Sequence, residues 1–205
     1  MKKNILIVPG DGIGQEVTAV GKKVLDKIAE KFGHEFQYDE ALIGHVAIEA
    51  TGSPLPDETL VKMKASDAIL FGAVGHPKYD NDPTAKVRPE QGLLKMRKEL
   101  GLYANLRPIK LFDELLDASS IKSEILRGAD ILFFRELTGD IYFGEKGRKN
   151  DGNTAYDVAE YSRFEVERIA RKAFDAARTR RKKICSVDKA NVIETSRLWR
   201  EVIQK

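Results

Sequence analysis

An α/β fold, built on a mostly parallel sheet with helices on its faces, is predicted by three features of this 205-residue sequence. Strand and helix signals alternate along the chain. The first strand is a continuous apolar run, Ile5-Leu6-Ile7-Val8, and it passes through a glycine loop directly into a helical pattern. A strand apolar at every position is buried on both faces, as helices packed on either side of a parallel sheet require.

The first strand is expected over 4–8, followed by the loop Pro9-Gly10-Asp11-Gly12-Ile13-Gly14 and a helix to about Phe32. Val17, Val20, Val24, Leu25 and Ile28 share one face of that helix. A second strand is expected near 35–43. Short helices follow around Val46 and over 57–64, separated by the turn-rich Thr51-Gly52-Ser53-Pro54-Leu55-Pro56, and then a strand over 68–74. Residues 75–89, rich in Pro, Asp, Asn and Lys, read as a long functional loop that leads into a helix from Glu90 to about Leu100. Strands are expected near 103–111 and 130–135, with a polar excursion or arm over 144–155. A helix over 162–181, a strand over 184–187 and a helix from Glu194 onward complete the pattern. The last helical pattern runs to Lys205 without a C-terminal cap signal, so the chain is expected to be truncated. Folds of this kind bind ligands beyond the carboxyl ends of their strands, which directs attention to the loops there.

Composition narrows the function classes. With 42% hydrophobic residues the chain can bury a sizeable core, in one large domain or two small ones. No run of 18 apolar residues is present and the N-terminus lacks a cleavage-site pattern, so a soluble, untargeted, cytoplasmic protein without a membrane partner is expected. A single cysteine, Cys185, excludes an internal disulfide, and the three histidines show no metal-ligand spacing. The net charge of +3 is small. The basic run Arg178, Arg180, Arg181, Lys182 and Lys183 admits a nucleic-acid reading, but it reads better as the solvated end of a helix with cations at the C-terminal dipole. No nucleic-acid partner is therefore expected.

Several residues have the chemistry of a site. Gly10, Gly12 and Gly14 follow a strand and open a helix, where backbone amides hold phosphates, but they are two apart throughout. The Rossmann fingerprint needs its third glycine where this chain has Gln15. Glu90, Leu93, Leu94 and Arg97 recur at i, i+3, i+4 and i+7 and share one helix face. Such a face suits a ligand with an apolar branch and an anionic group, or else a buried-edge helix with a Glu–Arg pair. Arg107 and Arg135 lie at strand ends, where guanidinium forks match carboxylates, although each also suits a structural ion pair. Tyr142 and Lys189 follow strand signals in turn-flanked segments, and either can exchange protons if its surroundings favour it.

Taken together, six segments resemble the β-decarboxylating dehydrogenase family, which includes isopropylmalate, isocitrate, homoisocitrate and tartrate or D-malate enzymes. They are Leu6-Ile7-Val8-Pro9-Gly10-Asp11-Gly12-Ile13-Gly14, Arg88-Pro89-Glu90, Asn105-Leu106-Arg107-Pro108, Arg135-Glu136-Leu137-Thr138-Gly139, Ile141-Tyr142-Phe143-Gly144-Glu145 and Val187-Asp188-Lys189-Ala190-Asn191-Val192. The resemblance implies an isocitrate/isopropylmalate dehydrogenase-like fold that is not a Rossmann domain. Glu90-Gln91-Gly92-Leu93-Leu94 is similar to the isopropylmalate members. In those the two leucines receive the isopropyl branch, and a third carboxylate would be stranded there without a partner. The reaction implied is NAD-dependent oxidative decarboxylation of 3-isopropylmalate to 2-oxoisocaproate in leucine biosynthesis, with Mg or Mn as the metal. Tartrate- and D-malate-type activity, and a non-catalytic fragment, are the alternatives.

The resemblance further implies that Arg97, Arg107 and Arg135 bind the substrate carboxylates, that Lys189 removes the hydroxyl proton, and that Tyr142 protonates the enol left by loss of CO2. Leu93, Leu94 and Val192 would line the substrate, and Glu90, Asn191 and Ile13 the cofactor. Sites are shared across a homodimer in the family, with Lys189, Asn191 and Val192 serving the partner subunit's site and residues 144–161 forming an intersubunit arm. Residues 1–102 correspond to the N-terminal half of a discontinuous first domain and 103–205 to most of the second, dimer-forming domain. The family's metal ligands lie beyond Lys205, so none is expected in this chain, and the chain alone is expected to be inactive.

Overall fold

The computed structural model describes residues 1–80, 82 and 84–205, so Asn81 and Pro83 of the expected loop lie outside the described residues. The chain divides into two compact units, Met1–Leu100 and Gly101–Lys205.

The first unit is a three-stranded parallel sheet of order β2-β1-β3, formed by β1 (Lys2–Gly10), β2 (Glu35–Glu40) and β3 (Ala68–Ala73). Ile5 pairs with Tyr38 on one side and Ala68 on the other, which makes the apolar run the central strand. Leu6 and Val8 are buried with Ile43, Leu55, Met63 and Met96, the last two supplied by α3 (Asp57–Ala65) and α5 (Pro89–Glu99). β2 stops at Glu40 because the next residues turn inward, leaving Ile43 with no exposed surface. The other helices are α1 (Gly14–Phe32), α2 (His45–Thr51) and the single turn α4 (Pro77–Asp80).

α1 departs from the sequence expectation. Its buried residues are Gly14 and Thr18, and a Cβ on Gly21 would touch the Leu70 side chain at 3.3 Å, so small residues bring the helix close to β3. Val17, Val20, Val24 and Ile28 are exposed. At 100° per residue they form a stripe roughly a quarter turn from the packed one, and only Leu25 of the expected face is half-buried.

The second unit is not parallel, which corrects the expectation of a mostly parallel sheet. β4 (Ala104–Lys110) and β5 (Asp130–Glu136) are antiparallel, with Asn105 opposite Arg135 and Arg107 opposite Phe133. A 3-10 turn at Asp113–Ala118 and α6 (Ser123–Leu126) return the chain to run back beside β4. α7 (Arg163–Arg178) packs on one face of β5, burying Val166 and Ile169, and also contacts α8 (Glu194–Ile203). Its start is fixed by a capping box in which the Ser162 hydroxyl accepts from the Glu165 amide and the Glu165 carboxylate accepts from the Ser162 amide. The expected arm contains a hairpin, β6 (Lys146–Lys149) and β7 (Thr154–Asp157), turned by Asn150, Asp151 and Gly152 at positive φ. The expected strand over 184–187 does not form. Ile184 and Val187 are exposed, and among the described residues no strand lies beside them to complete a ladder.

Candidate active site

In the first unit the chemistry gathers at the carboxyl ends of the strands. Asp11, only 2% exposed, holds this edge together. Its Oδ2 accepts from the amides of His45 (2.9 Å) and Gly75 (2.9 Å), and its Oδ1 accepts from Val46 (3.1 Å). One carboxylate thus fastens the β1 loop to the start of α2 and to the segment after β3.

Two of the three glycines of this loop are spent on close packing. A Cβ on Gly10 would lie 2.0 Å from the Ala73 carbonyl oxygen, and one on Gly14 would lie 2.0 Å from the Pro9 carbonyl oxygen. Gly12, at φ +51°, has open space where its Cβ would be. Ile13 stands exposed in this loop. Glu90 is exposed, and its Oε1 lies 3.3 Å from where a Gly75 Cβ would be. Ile13 and Glu90 thus both lie beyond the carboxyl ends of the strands, where open α/β folds bind ligands.

α5 begins with Pro89 at its first turn, and Gln91 Oε1 accepts from the Arg88 amide. The Arg88 guanidinium donates to the carbonyls of Tyr79 and Asp82, both at 2.6 Å, tying the preceding loop to the helix start. The buried stripe of α5 is Pro89, Gly92 and Met96, with Leu93 packed against the core beside it. Leu94 and Arg97 are half-buried. Of the face read from sequence, Leu93 is thus partly committed to the core, whereas Glu90 and Leu94 are outside its cluster.

Two histidines that no sequence signal links meet beside this site. The His45 and His76 rings stack at 3.9 Å, with the Tyr79 hydroxyl 3.2 Å from His45 Nδ1 and the Lys78 amide donating to His76 Nδ1 at 3.2 Å. They lie 31 positions apart, and no spacing rule links them.

In the second unit, Asn105, Arg107, Phe133 and Arg135 share one face of the β4–β5 pair, because directly opposite and diagonal residues project to the same side. Both arginines are exposed, and Arg107 Nε donates to Asn105 Oδ1 at 2.6 Å. The Arg135 guanidinium lies 5.3 Å from the Tyr142 ring centroid, and Tyr142 is partly exposed in the 3-10 turn Asp140–Tyr142.

Lys189, Asn191 and Val192 lie in the turn before α8, where the Lys189 carbonyl accepts from the amides of Val192 and Ile193. Asp188 anchors the turn: its carboxylate accepts from Arg200 Nη2 (2.7 Å) and Nε (3.2 Å) and from the Ala190 amide. The Arg200 guanidinium holds the Asp188 carboxyl below the ordinary aspartate range. Lys189 itself is exposed. In the basic run, Arg180 and Arg181 donate to Asp130, which commits two of its five cations to the fold.

Mg or Mn would need several oxygen ligands. Among the described residues no three His, Cys, Asp or Glu side chains are arranged to hold a metal. Among them, too, no helix is long and apolar enough to cross a membrane.

In one unit loops gather at the carboxyl ends of a parallel sheet, and in the other Arg107 and Arg135 are exposed, with Arg135 against the Tyr142 ring. Comparison with known proteins makes this specific. Residues 4–205 match the isocitrate/isopropylmalate dehydrogenase family. The chain is 57% identical over 204 residues to the 3-isopropylmalate dehydrogenase of Rhodopirellula baltica, covering 98% of this chain and 56% of the relative. It is 54% identical to that of Aquifex aeolicus, covering 100% and 57%. Among solved structures, an isocitrate dehydrogenase from Methylococcus capsulatus is similar with a TM-score of 0.79 at 31% identity, over 98% of this chain and 56% of that one. A β-decarboxylating dehydrogenase from Thermococcus kodakarensis gives 0.69 at 32%, over 98% and 53%. The chain belongs to the isocitrate/isopropylmalate dehydrogenase family, and it spans about half the length of the curated relatives it matches.

Proposed function

We propose that this chain forms the N-terminal part of an NAD-dependent 3-isopropylmalate dehydrogenase of leucine biosynthesis, acting in the cytoplasm as a homodimer with shared active sites and with neither nucleic acid nor membrane as a partner. The observation that carries the reading is the residue set Leu94, Arg97, Arg107, Arg135, Tyr142 and Lys189, present in a chain 51–57% identical to several proteins named 3-isopropylmalate dehydrogenase. In this reading 1–102 is half of a discontinuous domain, 103–205 most of a dimer-forming one, and 144–161 an intersubunit arm.

Arg97, Arg107 and Arg135 hold the two carboxylates of the substrate by charge-assisted hydrogen bonds. Leu93 and Leu94 take the isopropyl branch out of water; a substrate with a further carboxylate there would leave a charge unpaired, which discriminates strongly. Glu90, Ile13 and the partner subunit's Asn191 border the cofactor, and the partner subunit's Val192 borders the substrate. NAD, held beside Glu90, Ile13 and the partner subunit's Asn191, would supply the hydride-accepting chemistry for C2. The partner subunit's Lys189 takes the proton of the C2 hydroxyl as the carbonyl forms. The carboxylate on C3 then leaves as CO2, its bonding pair passing into the enolate, and Tyr142 returns a proton to C3. The divalent cation of the reading, Mg or Mn, requires ligands from outside this chain's described residues. Turnover is accordingly assigned to the chain extended to the length of its relatives, and the 205 residues alone are expected to be inactive.

The test is NADH formation by that extended protein with 3-isopropylmalate, isocitrate, D-malate and tartrate. Preference for 3-isopropylmalate supports the proposal. Preference for D-malate or tartrate would transfer the chain to that branch of the family, and a protein inert with all four would contradict the reading.

A further inference from the structure

We infer that Glu136 and Arg168 are positioning residues that set the geometry of Tyr142 and Arg135 from beneath the β4–β5 pair; this rests on the functional reading of those two groups given above. Residues 135 and 136 are consecutive on β5 and project to opposite faces. Arg135 is exposed, whereas the Glu136 side chain has no exposed surface and faces α7.

Glu136 is a carboxylate saturated by its neighbours. Its Oε2 accepts from the amides of Thr138 (2.7 Å) and Gly139 (2.8 Å), and its Oε1 from the Thr138 hydroxyl (2.8 Å) and from Arg168 Nη2 (2.7 Å). Arg168 also donates to the Thr138 hydroxyl oxygen. Its guanidinium lies over the rings of Tyr103 at 4.5 Å and Phe164 at 5.1 Å, so its place is fixed by α7 and by the residue that precedes β4. The turn these bonds fasten is the one that carries Tyr142. Gly139 caps the 3-10 turn, where a Cβ would strike the Tyr161 ring at 2.6 Å, and the Asp140 amide donates to the Glu160 carbonyl. Asp140 is held at φ +65°, a left-handed conformation that a non-glycine residue adopts only under constraint.

The consequence is mechanical. Without Arg168, Glu136 becomes a buried charge lacking its cation and recruits water or moves, and the 138–139 amides move with it. Tyr142, three to four residues on, then loses the angle at which its ring meets the Arg135 guanidinium. Neither Glu136 nor Arg168 needs to touch substrate for this to matter, because displacement of a reacting group by about 1 Å costs on the order of 100-fold in rate.

Two measurements test the inference. In the 205-residue chain, 3-fluorotyrosine at position 142 should give one narrow 19F line in the wild type and in Arg168→Lys, which keeps the charge. The line should broaden at least twofold or split in Arg168→Met. Thr138→Val, which removes only the hydroxyl link, should broaden it to a lesser degree and provides the test should Arg168→Met fail to fold. In the protein extended to the length of its relatives, Arg168→Met should lower kcat about 10- to 100-fold with KM for NAD unchanged, and Arg168→Lys should recover most of it. A wild-type 19F line in both folded variants, or unchanged kcat in Arg168→Met, would overturn the inference. An extended wild-type protein with no turnover would count against the functional reading alone, and the fluorine line would still decide the positioning.

Discussion

Asp11→Ala should loosen the whole ligand-facing edge of the first unit, by an amount that can be worked from its bonds. The carboxylate accepts from three backbone amides, those of His45, Val46 and Gly75, and truncation leaves all three without an acceptor. A buried donor left unsatisfied costs about 1–3 kcal/mol; His45 and its neighbours are only part-buried, so water satisfies them in part and the total falls near the lower bound, about 3 kcal/mol. Asp11→Asn separates hydrogen bonding from size. Its carbonyl oxygen, placed where Oδ2 stands, still accepts from His45 and Gly75, while its amide opposes the Val46 amide, for a loss of about 1 kcal/mol. The assay is amide exchange of residues 5–8 in β1, followed by mass spectrometry. The ranking wild type, Asn, Ala is expected, with exchange in Asp11→Ala roughly 100-fold faster, since each 1.4 kcal/mol is tenfold. Exchange within threefold of wild type in Asp11→Ala would refute the role assigned to this carboxylate.

Other outcomes follow from the same structure. Gly14→Ala places a Cβ 2.0 Å from the Pro9 carbonyl oxygen, a backbone atom that cannot swing away, so a lower melting temperature is expected, together with weaker NAD binding in the extended protein. Because Arg200 depresses the Asp188 carboxyl, the stabilisation from that pair is complete above the ordinary value of 3.8 and is lost as pH falls through the lower, folded one. Asp188→Asn should therefore melt below wild type at neutral pH and converge with it in strong acid. Burial pushes the Tyr161 phenol up to about 12, with Asp140 and Glu136 adding to the effect. An unfolded chain ionises this residue near 10, so stability is lost as pH rises from about 10 towards 12. Tyr161→Phe should lessen that alkaline loss in melts across the window.

The parallel sheet of the first unit was legible because β1 is apolar at four consecutive positions, which only a central strand covered on both faces can bury. A similar apolar run has a different outcome in the second unit. Ile131-Leu132-Phe133-Phe134 looks equally two-sided, yet Ile131 and Phe133 stand on an open face of an antiparallel pair. Exposure of Val17, Val20, Val24 and Ile28 was hidden for a related reason: helical periodicity identifies an apolar stripe but not the neighbour, and Gly14, Thr18 and Gly21 allow the closer approach. The motif residues Arg135 and Tyr142 could be singled out because they follow strand signals. The Glu136–Arg168 pair and the stacked His45 and His76 could not, since each is joined only by the folded chain across 32 and 31 positions.

The most direct test of the central claim is the ratio of kcat/KM for 3-isopropylmalate to that for D-malate, measured on the extended protein and its Leu94→Ala variant. The ratio should favour 3-isopropylmalate in the wild type and fall about 10- to 200-fold in the variant, through loss of the branched substrate's term while that of D-malate stays level. An unchanged ratio, or a wild type that prefers D-malate, would contradict the assignment of this helix face to the isopropyl branch.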